Sequence, residues 1–165
     1  MEAAREKGRR WVISTQEEMR LAAIDVASQA TRRLSIFTHD LDPGIYDDPD
    51  FLEVVKHMVL SQRYARVRVL IADPTRAIKN GNQFVYLGRR LNTYIEFRNV
   101  REDLRTHPES YCIADDTALV YRLDASRWEG IADTYEPSIA RMYGSTFDEI
   151  WQASEVEIEF RQMGI

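Results

Sequence analysis

Residues 65–73, ARVRVLIAD, limit the fold more than any other part of the chain. From Val69 to Ala72 no polar residue interrupts the run. A strand with one wet face alternates apolar and polar, so an unbroken β-rich run belongs inside a sheet covered on both sides. Its neighbours can supply that cover. Upstream, Asp50 is placed to cap a helix that turns Phe51, Val54, Val55, Met58 and Val59 inward. Downstream, PTRAIKNG leads into a third helix with Phe84, Val85, Leu87 and Leu91 as its apolar positions. A buried strand between helices predicts an α/β domain.

The remaining segments fit that plan. RWVIST reads as a short strand, and Thr15 to Glu18 (TQEE) has the spacing of a capping box. The helix it opens repeats Met19, Ala22, Ala23, Val26, Ala27 and Ala30 along one face. A strand is predicted from Arg33 to Thr38, and the Asp-, Pro- and Gly-dense DLDPGIYDDPD after it is a loop. YIEFRNV is another strand. Two more follow around Asp115-Asp116-Thr117, a tight hairpin turn. After a loop, DASRWEGIADTYEP, a last helix over 138–153 has Ile139, Met142, Tyr143, Phe147, Ile150 and Trp151 as its inner face. This order gives a three-layer α/β sandwich around a mixed sheet, parallel early and antiparallel late. With 165 residues the chain suits one domain, taken as 11–165. The basic lead-in, 1–10, would suit a linker from an upstream fused or partner domain.

Composition excludes some classes. Hydrophobic residues at 44% with 30% charged residues describe a globular chain. A net charge of −5 argues against a duplex-binding protein that relies on counterion release. Cys112 is the single cysteine and sits between Tyr111 and Ile113, where it reads as a buried core residue. It allows neither an internal disulfide nor a thiolate cluster. No apolar run approaches the roughly 18 residues of a membrane span. The charged start lacks a secretory signal, which together with the free cysteine places the expected location in the cytoplasm.

The segments SIFTHDLDPGIYDDPDFLEVVKHMVLSQRYARVRVLIAD, YIEFRNV, YCIADDTALVYR and FDEIWQAS occur in an order that resembles one half of the phospholipase D superfamily fold. The resemblance spans Thr15 to Ser154 and is nearest to bacterial phospholipase D-like domains whose catalytic signature is degraded. It implies a half-domain that pairs with a second copy into a homodimer. In that family the hairpin carries H-x-K-x(4)-D, and a G-S-x-N segment follows. The histidine attacks phosphorus, the lysine neutralises the phosphate oxygens and the aspartate orients the imidazole. A second histidine protonates the leaving group.

Neither register of this chain supplies that set. With Asp115 as the motif aspartate, Pro108 stands at the histidine position and Ser110 at the lysine position. With His107 as nucleophile, the two following positions are Glu109 and Ala114, and a carboxylate in place of lysine repels the phosphate. RLDASRWEG replaces G-S-x-N. No catalytic residue, metal ligand or cofactor is therefore assigned. Strand ends in α/β sheets gather ligands, so His39, Asp40, His107, Ser110, Asp115 and Trp128 are the candidates for a cleft or phosphate site. His57 reads as a surface residue, and the Asp40–Asp50 cluster as loop punctuation without calcium-loop spacing. Arginines such as Arg76 and Arg105 read mainly as solvated faces, although some could converge on a phosphate. The expected role is a catalytically inactive binding, regulatory or assembly module. The competing classes are a divergent phosphodiesterase or nuclease and a non-catalytic nucleic-acid binder.

Overall fold

A computed structural model of the chain describes residues 8–157. Within these residues, strands β1 (Arg10–Ile13), β2 (Arg33–Thr38), β3 (Arg66–Ile71), β4 (Ile95–Asn99), β5 (Ser110–Ala114), β6 (Ala118–Arg122), β7 (Gly130–Asp133) and β8 (Glu155–Val156) form one eight-stranded sheet. Its order is β1-β7-β6-β5-β2-β3-β4-β8. β2, β3 and β4 run parallel, and every other pairing is antiparallel. The lead-in residues 1–7 lie outside the described residues.

Among the described residues five α-helices flank the sheet: α1 (Gln16–Ala27), α2 (Pro49–Ser61), α3 (Thr75–Asn80), α4 (Gln83–Arg90) and α5 (Pro137–Ala153). They divide unequally. The first four pack into one core with Leu34, Ile36, Val67, Val69 and Ile71. α5 packs alone on the opposite face, where Phe147 and Ile150 meet Phe37, Leu70, Tyr111 and Leu119. β3 feeds both cores with alternate side chains, which explains its unbroken apolar run. The mixed, three-layer sandwich read from the sequence is the fold observed.

One helix cannot cover such a sheet. Eight strands about 4.8 Å apart span roughly 34 Å, whereas a helix with side chains is about 10 Å across. Toward β6, β7 and β1 the α5 face is accordingly open. Val12 is 74% exposed and Leu123 71%.

Local chemistry set the element ends, and several differ from expectation. The Thr15–Glu18 capping box is formed, its side chains bonding each other's backbone reciprocally. The cap of α2 is Asp48, not Asp50. Its Oδ2 accepts from the amides of Asp50 and Phe51, and Pro49, which has no amide to satisfy, takes the first helical position. Val54 is only partly buried. The helix expected after Pro74 is two helices. Gly81 at φ +73° breaks it, and the Asn82 side chain caps the second through Phe84 and Val85 amides. The stretch 124–137 is not all loop, because β7 lies within it and pairs with β6 and β1. In α5, Met142 is 58% exposed and Ala140 takes an inward position.

Candidate ligand cleft

β2 is the strand at which the sheet changes character, with parallel β3 on one side and antiparallel β5 on the other. Where β2 and β3 end, the loops that lead to α2 and α3 lie beside the segments that flank β5 and β6, and a crevice opens between them. Hydrogen bonds hold its rims: the Asp73 amide donates to the His39 carbonyl at 2.7 Å, and the Ala125 amide to the Pro108 carbonyl at 2.7 Å. The resulting cleft of about 720 Å³ is lined by His39, Asp40, His107 and Trp128, with Arg76 and Arg105 among its other residues. Four of the six candidate residues thus converge, together with two arginines. Carboxylates converge as well, since Asp42, Glu109 and Asp124 also line it.

The charges are largely committed. Arg76 pairs with Asp40 at 3.2 Å, and Arg105 holds its Nε on the Val100 carbonyl at 2.9 Å. His107 Nδ1 lies 3.6 Å from Glu109 Oε1, beyond hydrogen-bonding range and an ion pair only when the imidazole is protonated. The His107 ring also meets Phe37 edge to face, with centroids 6.2 Å apart. Among the described residues no group of three or more His, Cys, Asp or Glu could hold a metal ion.

Ser110 and Asp115 are not cleft residues. Ser110 is 1% exposed and lies beneath the cleft, its hydroxyl donating to the Phe37 carbonyl and accepting from Arg122. Asp115 sits at the far end of the hairpin, where Asp115 and Asp116 both take positive φ (54° and 58°), the conformation of a tight hairpin turn. Its carboxylate accepts from the amides of Thr31, Arg32 and Arg33 and from the Thr31 hydroxyl. Burial pushes this carboxyl up, but those donors outweigh it and hold it below the usual aspartate range.

The feature that sequence reading missed lies under the cleft. Arg122, 1% exposed, donates through Nη2 to Asp42 Oδ2 at 2.7 Å and through Nη1 to the carbonyls of Ala125 and Arg127. Its guanidinium stacks 4.8 Å from the Trp128 ring centroid. Asp42 also accepts from the Thr38 hydroxyl. Burial pushes Asp42 up, and Arg122 pulls it back. One ion pair therefore fastens the loop after β2 and the loop after β6 to the sheet, and with them Asp40 and Trp128. A signal was present: Ala118 and Val120 point into the core, and period two sends Arg122 the same way. An inward arginine requires a carboxylate.

Alternation also settles how the strand entering the hairpin is turned. Cys112 belongs to the helix-rich core and Tyr111 to the α5 core. Ser110 therefore faces the buried arginine, while Glu109 and His107 face the α5 side, where both line a smaller cavity. Cys112 is fully buried, and burial pushes its thiol up, as expected of an inert core residue.

Comparison with solved structures shows that the fold is phospholipase D-like. Nuc from Salmonella typhimurium, a phospholipase D family member, superimposes with a TM-score of 0.61 at 12% identity, over 90% of this chain and 97% of that one. The phosphatidylserine synthase of Haemophilus influenzae Rd KW20 gives 0.61 at 13% identity, over 94% of this chain and 39% of that one. TrmBL2, an archaeal chromatin protein with a novel mode of DNA binding, gives 0.66 at 14% identity, over 90% of this chain. The chain spans about half, 53%, of TrmBL2. No curated protein matches it in sequence. Residues 15–163 match the family described as "Domain of unknown function (DUF7931)", and the chain belongs to that family. No helix among the described residues is long and apolar enough to cross a membrane.

Proposed function

We propose that the domain is a non-catalytic phospholipase D-like module that serves in binding and assembly. One observation carries this reading: Ser110, the lysine position in the register that makes Asp115 the motif aspartate, is buried against Arg122, whose charge is already matched by Asp42. The cleft above it has arginines, but Asp40 and Glu109 face any incoming phosphodiester beside them. His107 has an acidic neighbour instead of a cationic one. Losing both the nucleophile and the lysine removes the two dominant rate terms of the family reaction.

Hydrolysis of bis(p-nitrophenyl) phosphate provides the test. The wild-type chain should give no turnover above buffer, and His107→Ala should be indistinguishable from it. Turnover that disappears in His107→Ala overturns the reading in favour of a divergent phosphodiesterase. A nucleic-acid occupant is the other outcome to exclude, and salt-sensitive retention on single-stranded DNA at low salt would establish it.

Assembly is assigned to the open part of the sheet. Val12, Leu123 and Met142 project around an apolar groove of about 660 Å³ that Tyr121 and Ile131 line. A second copy of the chain placed there would complete the cover that α5 cannot provide. Light scattering on the purified protein should report a dimer, and Leu123→Asp a monomer with its fold intact. A monomeric wild type at about 100 μM would remove homodimerisation from the reading.

A further inference from the structure

Beside the cleft, on the α5 side of the sheet, lies a cavity of about 240 Å³ lined by Phe37, His107, Glu109, Tyr111, Met142 and Tyr143, of which the first three also border the cleft. Its walls are aromatic. Phe37 stacks on Tyr111 with centroids 5.3 Å apart, and Tyr111 lies 4.7 Å from Tyr143. Two buried polar atoms of these residues, Glu109 Oε1 and the Tyr111 hydroxyl, have no hydrogen-bond partner in the protein. Tyr111 as a whole is 2% exposed. Two unpaired acceptors in an otherwise aromatic wall leave the cavity poorly built for a purely apolar guest.

The guest that suits both features is a cation. An ionised carboxylate only accepts hydrogen bonds, and the faces of phenyl and phenol rings attract positive charge. An anion would meet Glu109 and the negative ring faces together. Pockets for drug-sized ligands measure about 300–1,000 Å³, so this cavity has room for a small head group and not for a whole nucleotide. We infer that the Glu109–Tyr111–Tyr143 cavity binds a small organic ammonium group, a primary amine or a methylated ammonium, through the Glu109 carboxylate and the aromatic walls. Burial first and then the charge of Glu109 push the Tyr111 hydroxyl up, and the same two causes act on Tyr143, which places the negative charge within reach of both rings. Ammonium binding here is independent of whether the neighbouring cleft hydrolyses phosphodiesters, so either assignment can fail alone.

The test uses the whole chain at about pH 8, where an ordinary imidazole is neutral. Propylammonium and tetramethylammonium are titrated against propan-1-ol while the methyl signals of Met142 and Thr146, which also lines the cavity, are followed by NMR. Both ammonium ions should give saturable shifts, with propan-1-ol at least roughly tenfold weaker. The isosteric Glu109→Gln should weaken the ammonium ions at least roughly tenfold. Equal binding of the alcohol, no saturable shift, or unchanged affinity in Glu109→Gln overturns the assignment. Should Glu109→Gln lose its fold by circular dichroism, Tyr143→Leu decides: weaker ammonium binding supports the site and full affinity overturns it.

Discussion

The β5–β6 hairpin is held by an aspartate at each end, and the two ends work by opposite means. At the turn, Asp115 receives three backbone amides and a hydroxyl from residues 31–33, at the edge of solvent. At the open end, Asp42 faces a guanidinium with almost no access to water. Amide donors stabilise the charge of Asp115 more than burial opposes it, so its carboxyl falls below the usual range. Burial outweighs the pairing at Asp42, whose carboxyl rises. The turn end is a backbone clamp of the sort any hairpin fold can use. By contrast, the open end puts a costly charge pair beneath the cleft, and it fixes the loops that form that cleft.

Removing one partner of the buried pair should have the largest effect. Arg122→Ala leaves Asp42 charged and uncompensated, with an expected loss of about 3–5 kcal/mol in urea unfolding. Replacing both, as Arg122→Met with Asp42→Leu, should restore most of it, because a well-packed apolar pair avoids the desolvation cost. If the double variant is as unstable as Arg122→Ala, the pair is not a simple charge-compensation device and the contrast with the turn end collapses.

Asp115→Ala should cost less, about 1–2 kcal/mol, since its donors lie near enough to solvent to find water. A loss equal to that of Arg122→Ala would make the two ends equivalent.

The smallest effect is the most specific. Asp115 has its folded pKa lowered, so its stabilisation is complete above the ordinary aspartate value near 4 and is lost as pH falls through the folded value. Asp42 has its folded pKa raised, so its contribution is complete below that ordinary value and is lost as pH rises through the folded one. Between about pH 5 and pH 2, stability of Asp115→Asn should therefore fall less steeply than that of the wild type. An unchanged acid slope would show that the turn clamp is not linked to proton uptake.

Much of the fold was legible because its signals are local. The capping box at Thr15, the run through β3 and the Asp-Asp turn each rest on bonds between near neighbours or on one strand's own alternation. The convergence of His39, Asp40, His107 and Trp128 followed from strand ends meeting at one edge. The errors came where local signals competed. Asp48 and Asp50 are both good caps, and Pro49 decides between them only through its missing amide. β7 was read as loop because GIAD is short and weakly patterned, and it becomes a strand by pairing with partners at both flanks.

The sequence by itself determined the α/β class and the order of the longer strands and helices, since these depend on residue type and short-range spacing. Tertiary structure alone decided that Asp42 meets Arg122 across 80 residues, that Ser110 is buried against them, and that Glu109 faces an aromatic cavity on the other side of the sheet. The physical reason is that a charge pair is chosen by proximity in space and by exclusion of water. Neither is written at any one position of the chain.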